Sequence, residues 1–240
     1  MVHLMRVEEE YRLELREIRF DSIMLKQIIQ NGVPSGFQNS VIAIANVFVQ
    51  SNINAFGKMA MAGCESYSKI EGFAFLPVTC FTMALTTFVS QNLGAKQYDR
   101  AKKGARFGVL CSIIIAELTG VIIYAAAPVL IAALNRDPDV VHYGVMQSRT
   151  IALFYCLLAF SHCIAAVLRG SGHASVPMIV MLCDWCLFRV SYITVAVRII
   201  PDIRVIFWAY PLTWSISSVI FLFMFLRGKW VYGFEKTPQM

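Results

Sequence analysis

The chain has 240 residues, 58% of them hydrophobic and only 15% charged, with a mean hydropathy of +0.62. Soluble domains carry roughly 25% charged residues, so a water-facing globule is excluded and lipid is the solvent for most of the length. The formal charge is +6, from 21 Lys and Arg against 15 Asp and Glu. No nucleic-acid-binding motif accompanies it, and the bases sit in short gaps between apolar runs, where they orient a chain in a membrane. The bilayer, and no nucleic acid, is the expected partner.

Residues 1–31 come first and differ from the rest. They hold six of the 15 acids and five bases, with Tyr11, Leu15 and Ile18 at helical spacing and Glu8 one turn from Arg12. That pattern predicts an amphipathic helix at the membrane surface. A cleaved signal is not expected, because an apolar core and a small-residue cleavage site are both missing. Six apolar segments follow, near 33–56, 72–94, 107–134, 140–168, 174–198 and 205–226, each close to the roughly 20 residues of a spanning helix. Backbone groups in lipid must bond internally and no strand alternation is seen, so the fold class is all-α with six transmembrane helices over 32–227. A tail, 228–240, completes the chain. Fourteen of the 21 bases fall on the side of the two termini, which predicts that both termini are cytoplasmic. Pro34 and Pro177 fall near predicted helix starts, whereas Pro77 and Pro211 lie inside spans and predict bends. The seven cysteines read as small hydrophobes, the Cys183–Cys186 pair included.

The run from Lys69-Ile70-Glu71-Gly72 through Phe88-Val89-Ser90-Gln91-Asn92-Leu93-Gly94-Ala95-Lys96, the opening Asn31-Gly32-Val33-Pro34-Ser35-Gly36, and Leu168-Arg169-Gly170-Ser171-Gly172-His173 together resemble the MATE family of multidrug and toxic-compound extrusion transporters. The resemblance implies one lobe of a twelve-helix transporter, the C-terminal six helices, with 1–31 corresponding to the link between lobes. It further implies a secondary antiporter in the plasma membrane that exports amphipathic or cationic compounds in exchange for protons or sodium ions. A truncated or regulatory half that is inactive alone, and a lipid-linked saccharide flippase, are the alternatives. A second lobe or a homodimer would supply the other wall of the cavity. No cofactor beyond the coupling ion is implied.

Polar residues recur on single faces of the spans. Ser35, Asn39, Asn46 and Gln50 share a narrow sector, as do Thr79, Thr82, Thr86 and Ser90, and Ser148, Tyr155 and His162 repeat every seven residues. Such faces line a cavity or bond neighbouring helices, and the pattern alone leaves both open. Asn39, Asn46, Gln50, Tyr155 and His162 are the substrate-cavity candidates. Four ionisable groups lie inside predicted spans. Glu117 and Asp184 are the ion-coupling candidates, and Arg149 and Arg189 are assigned to structural ion pairs. Asp184 and Arg189 stand about 140° apart on an α-helix, so each is expected to find its partner on another helix. The glutamate that the family's sodium-coupled branch carries in the first span of this lobe has Ile42 in its place here, which leaves the coupling ion open. The histidines are scattered and no phosphate-binding loop occurs, so no catalytic residue and no metal ligand is assigned and an enzyme is not expected.

Overall fold

The computed structural model describes residues 21–227 and 230–231. Within them the chain runs through six long helices: α1 (Ser22–Asn54), α2 (Lys58–Gly94), α3 (Tyr98–Leu134), α4 (Pro138–Gly170), α5 (Ser175–Ile199) and α6 (Ile203–Leu226). Helices α2 to α6 are long and apolar enough to cross a membrane. Although 33 residues long, α1 is more polar, because Gln38, Asn39, Asn46 and Gln50 interrupt its apolar run. No strand occurs among the described residues. Large apolar side chains face outward, Phe73, Phe107, Val129 and Ile199 being 70% or more exposed, as hydrocarbon solvent allows.

Three expectations change. The second span does not start at residue 72: α2 begins at Lys58, and the charged stretch read as a connection is helical, with Lys69 and Glu65 paired at 3.4 Å one turn apart on its exposed face. The first helix shows no break at residues 31–32, since Asp21 accepts from the amides of Ile23 (2.8 Å) and Met24 (3.0 Å) and caps a helix that runs on to Asn54. Pro34 therefore lies inside α1 rather than at its start. The amphipathic helix expected over the first 31 residues falls, up to residue 20, outside the described residues.

The ends of the helices are set by local chemistry. Asp137 and Asp202 accept from the amides of Asp139 (3.0 Å) and Arg204 (2.8 Å), and so cap α4 and α6. At the other ends, α2 and α4 close in the same manner. Lys96 donates to Leu93 O (3.0 Å) and Gln97 to Asn92 O (2.8 Å); Gly172 donates to Arg169 O (3.0 Å) and His173 to Leu168 O (2.9 Å). Both are Schellman closures, which need a left-handed residue just beyond the helix. Gly172 (φ 83°) takes that conformation without cost, and Lys96 (φ 57°) takes it with a side chain attached.

The most enclosed helix is α4, with 67% of its most apolar stretch buried. It crosses α2 so closely that a Cβ on Gly63 would lie 2.6 Å from Val140 O and 2.9 Å from Gly144 N. Halfway along, α4 tightens to a 3-10 turn over Ala152–Phe154. The freed amide of Cys156 donates instead to Glu117 Oε2 of α3, at 3.1 Å.

The closures and the crossing predict thermal-melting shifts in detergent. Lys96→Gly should stabilise by about 1 kcal/mol and Gly172→Ala destabilise by a similar amount. Gly63→Val should cost about 1–3 kcal/mol or more by overpacking. Equal melting of the Lys96→Gly protein and its parent would show that the left-handed lysine carries no strain.

Candidate functional site

Partway into the lobe from the α1–α2 and α5–α6 turns, four helices enclose a cavity of about 220 Å³. Its lining includes Asn46 and Gln50 from α1, Glu71 and Phe75 from α2, Trp185 and Arg189 from α5, and Tyr210 and Trp214 from α6. Asn46 stands eight residues before the end of α1, or about 12 Å along the axis at 1.5 Å per residue.

Arg189 organises this cavity. Only 1% exposed, its guanidinium lies 4.7 Å from the ring centre of Trp185 and 4.3 Å from that of Tyr210. A cation between two aromatic faces, away from water, is strongly held. Its Nη1 donates to Asn46 Oδ1 at 3.2 Å. Nε and Nη2 are buried and donate to nothing among the described residues. Two carboxylates act on it electrostatically, Glu71 from α2 and Asp184 from its own helix, yet neither comes within ion-pair distance. Glu71 Oε1 and both Asp184 oxygens are likewise buried without hydrogen-bond partners.

The backbone of α5 explains how Asp184 reaches the same side as Arg189. Residues Leu182–Phe188 form a π-helical segment, in which the Arg189 amide donates to Asp184 O. A π turn joins residues five apart, so two positions that would diverge on an α-helix come onto one face, and both are buried here, at 3% and 1% exposure. The expected divergence of Asp184 from Arg189 is thus corrected, and in place of the structural ion pair expected of it Arg189 meets the Asn46 amide and the Tyr210 ring on other helices. Asp184 lies beside Ser217 of α6, but that hydroxyl donates to Thr213 O, 2.9 Å away on its own helix.

The other candidates disperse. Asn46 and Gln50 line the cavity and are exposed at its edge; Gln50 also donates to Asn54 Oδ1 at 3.1 Å. Asn39 is exposed outside the cavity lining. Tyr155, 2% exposed, shares a 2.8 Å hydrogen bond with the Tyr67 hydroxyl and packs on Trp214, so it backs the cavity wall. His162 lies edge-on to Phe75 (6.1 Å) and Trp185 (5.7 Å), behind two lining residues, and its Nε2 is buried and unpartnered. Glu117 is occupied at the α4 interruption, away from the cavity lining. Arg149 is exposed and has no ion pair among the described residues; it stands 5.7 Å from the Tyr124 ring centre instead. The threonine stripe of α2 turns back on its own helix, Thr79 to Phe75 O and Thr82 to Thr79 O, with only Thr86 also reaching across to Ala166 O (3.3 Å).

Glu71 is the residue that the sequence reading left out, because it was placed in a connection before the second span. The signal was present: Tyr67 and Glu71 stand one turn apart, each two residues beyond a member of the exposed Glu65–Lys69 pair, in a stretch with no proline between Lys58 and Gly72. Glu117 and Asp184, expected inside the spans, are thus joined there by Glu71 of α2.

Removing Arg189 alone should leave two buried carboxylates unbalanced. Arg189→Met is expected to cost about 3–5 kcal/mol, and adding Glu71→Gln and Asp184→Asn should recover most of it. Thermal unfolding of the single and triple variants checks this; simple additivity would mean that the three groups are not coupled.

The MatE family profile matches residues 34–194. The Thermotoga maritima protein named "Probable multidrug resistance protein NorM" is 25% identical over 210 residues, covering 85% of this chain and 44% of its own length. A solved structure described as the outward-facing conformation of a multidrug resistance MATE family transporter of the MOP superfamily superposes with a TM-score of 0.84 at 18% identity, over 92% of this chain and 50% of that one. In Shewanella oneidensis a protein named "FAD transporter" is 21% identical over 74% of this chain and 39% of its own. The chain thus spans about half the length of the proteins it matches.

Proposed function

Since this chain belongs to the MatE family, we propose that it forms one six-helix lobe of a secondary active exporter, with the cavity around Glu71 and Arg189 as that lobe's contribution to the substrate site. The observation that carries this reading is the cavity's composition. One carboxylate and one guanidinium stand among the rings of Phe75, Trp185, Tyr210 and Trp214, with the amides of Asn46 and Gln50 at the edge. Aromatic faces and a carboxylate suit an amphipathic cation, and few polar groups among apolar walls are the usual make-up of a small-molecule site.

A volume of about 220 Å³ falls below the ~300–1,000 Å³ usual for ligand pockets, and the exposed Asn46 and Gln50 leave one side open. Both features suit a single wall of a shared cavity, with the other wall supplied by a second lobe or a second copy of this chain. Alternating access then comes from two lobes rocking about the cavity, driven by protons or sodium ions. The cell membrane is the proposed location, with both termini cytoplasmic as the basic residues indicate. A half that transports nothing alone is the second reading, favoured by the length of the chain relative to its relatives. The flippase alternative draws no support from the relatives described above, whose names speak of multidrug resistance and of FAD transport.

Expression of the chain in a host lacking its main efflux pumps, with a fluorescent cationic dye, tests the proposal. Gradient-dependent extrusion by the chain alone is the outcome expected of a self-completing dimer, and Glu71→Gln should lower it about tenfold or more, the loss of one charge-assisted contact. Absence of extrusion from membrane-resident chain, with extrusion restored by a co-expressed N-terminal six-helix lobe, would assign it as half of a two-part exporter. No extrusion in either arrangement would overturn the transport reading.

A further inference from the structure

Of the two arginines inside the spans, Arg189 is buried and compensated, whereas Arg149 is exposed on the surface of the lobe. It has neither an ion pair nor a hydrogen bond among the described residues, and its guanidinium stands 5.7 Å from the ring centre of Tyr124 on α3. Neither α3 nor α4 contributes to the cavity lining, so this surface is separate from the cavity.

The depth of Arg149 follows from helix length. The fourth helix has 33 residues, about 50 Å at 1.5 Å per residue, against a hydrocarbon layer of roughly 30 Å. Centred in the bilayer, it projects about 10 Å beyond the hydrocarbon at each end. Arg149 stands eleven residues after Pro138, about 16 Å along the axis, so its Cα lies roughly 6 Å inside the hydrocarbon on the side of the α3–α4 turn. A long side chain reaches back over such a distance to the headgroups. His142, exposed and seven residues earlier, shares the face within about 20° and lies roughly 10 Å nearer the surface. The phosphate layer of the bilayer falls between these two side chains.

A cation at this depth is costly unless an anion meets it, and the chain supplies none there. Asp137 and Asp139 are ten or more residues away at the start of α4, where Asp137 caps the helix. Glu117 is seven residues from Tyr124 on α3, about 10 Å deeper, and accepts from the Cys156 amide. The surface around Arg149 is otherwise suited to lipid. The two antiparallel helices touch where Gly120 meets the Ala152 carbonyl, and on the deeper side of Tyr124 and Arg149 this seam exposes Val121 and Leu153, at 49% and 41%.

We propose that Arg149, with Tyr124 and His142, holds the phosphate of an anionic phospholipid whose acyl chains lie over Val121 and Leu153. A guanidinium stacked on a ring keeps its N–H edge free, and that fork matches two phosphate oxygens. A choline headgroup would bring a second cation beside Arg149, so phosphatidylglycerol is preferred to phosphatidylcholine. The inference requires only that α4 crosses the bilayer and does not depend on the transport reading.

The test uses the full chain in detergent, stripped of lipid and titrated with phosphatidylglycerol or phosphatidylcholine, with bound lipids counted by native mass spectrometry. One phosphatidylglycerol should bind ahead of the rest, and ahead of phosphatidylcholine. Because Arg149 is exposed, Arg149→Leu should melt like the parent without lipid and bind that first lipid about tenfold more weakly, the loss of one charge-assisted contact. Tyr124→Leu should weaken it about threefold, as an exposed cation–π contact would, and Arg149→Lys should keep part of the affinity. Lys103→Gln, which removes an exposed base at the other end of the lobe, should leave it unchanged. Equal binding by the parent and Arg149→Leu, or equal losses in Arg149→Leu and Lys103→Gln, overturns the proposal, because the lipid would then answer to net charge alone. Displacement of the lipid by inorganic phosphate overturns it too, as a site for a free anion. So does a bound polypeptide that departs with Arg149→Leu while lipid binding stays the same.

Discussion

A guanidinium buried between two aromatic rings is the interaction on which the interior of this lobe depends. A charge in a low-dielectric interior is costly unless something compensates it, and Arg189 is compensated by the ring faces of Trp185 and Tyr210, the Asn46 amide oxygen, and the fields of Glu71 and Asp184. Those groups come from α1, α2, α5 and α6, so one side chain ties together four of the six helices. The fourth helix supports the arrangement from behind, through the Tyr155–Tyr67 hydrogen bond and the contact of His162 with Trp185.

Two departures from α-helical geometry make this possible, and both have local causes and remote consequences. The π segment of α5 turns Asp184 onto the face of Arg189. The 3-10 turn of α4 frees an amide that would be orphaned in hydrocarbon, and Glu117 of the neighbouring helix accepts it. Glu117 thereby has an account that involves no ion: it satisfies a backbone donor where lipid offers no water to do so. The two carboxylates grouped together on sequence grounds are set in different environments, one beside a buried arginine and one on a broken helix.

The segments that most resemble the family turn out to do mechanical work. Gln91–Lys96 and Leu168–His173 end α2 and α4 in the same hydrogen-bonded closure, whose demand for a left-handed residue restricts composition strongly. Such restricted spacing is what makes a short motif recognisable. It says where helices stop, and nothing about what the cavity binds. The motif running from Lys69 is different, since it contains Glu71, and its resemblance was legible while its place inside a helix was not.

The amino-acid sequence by itself determined the solvent, the helical class, the six apolar runs, the family resemblance, and the polar face of α1 that carries Asn46 and Gln50. Those follow from composition and period, which act within a single segment. Tertiary structure alone decided that Glu71 belongs to the interior, that Asp184 and Arg189 share a face, and that Glu117, Arg149 and Asn39 stay outside the cavity lining. Each of those outcomes depends on where a helix begins, how its backbone departs from 3.6 residues per turn, and which partner lies opposite. Such choices are settled by the cost of burying charges and amides without compensation from another helix, a cost that no single segment can express.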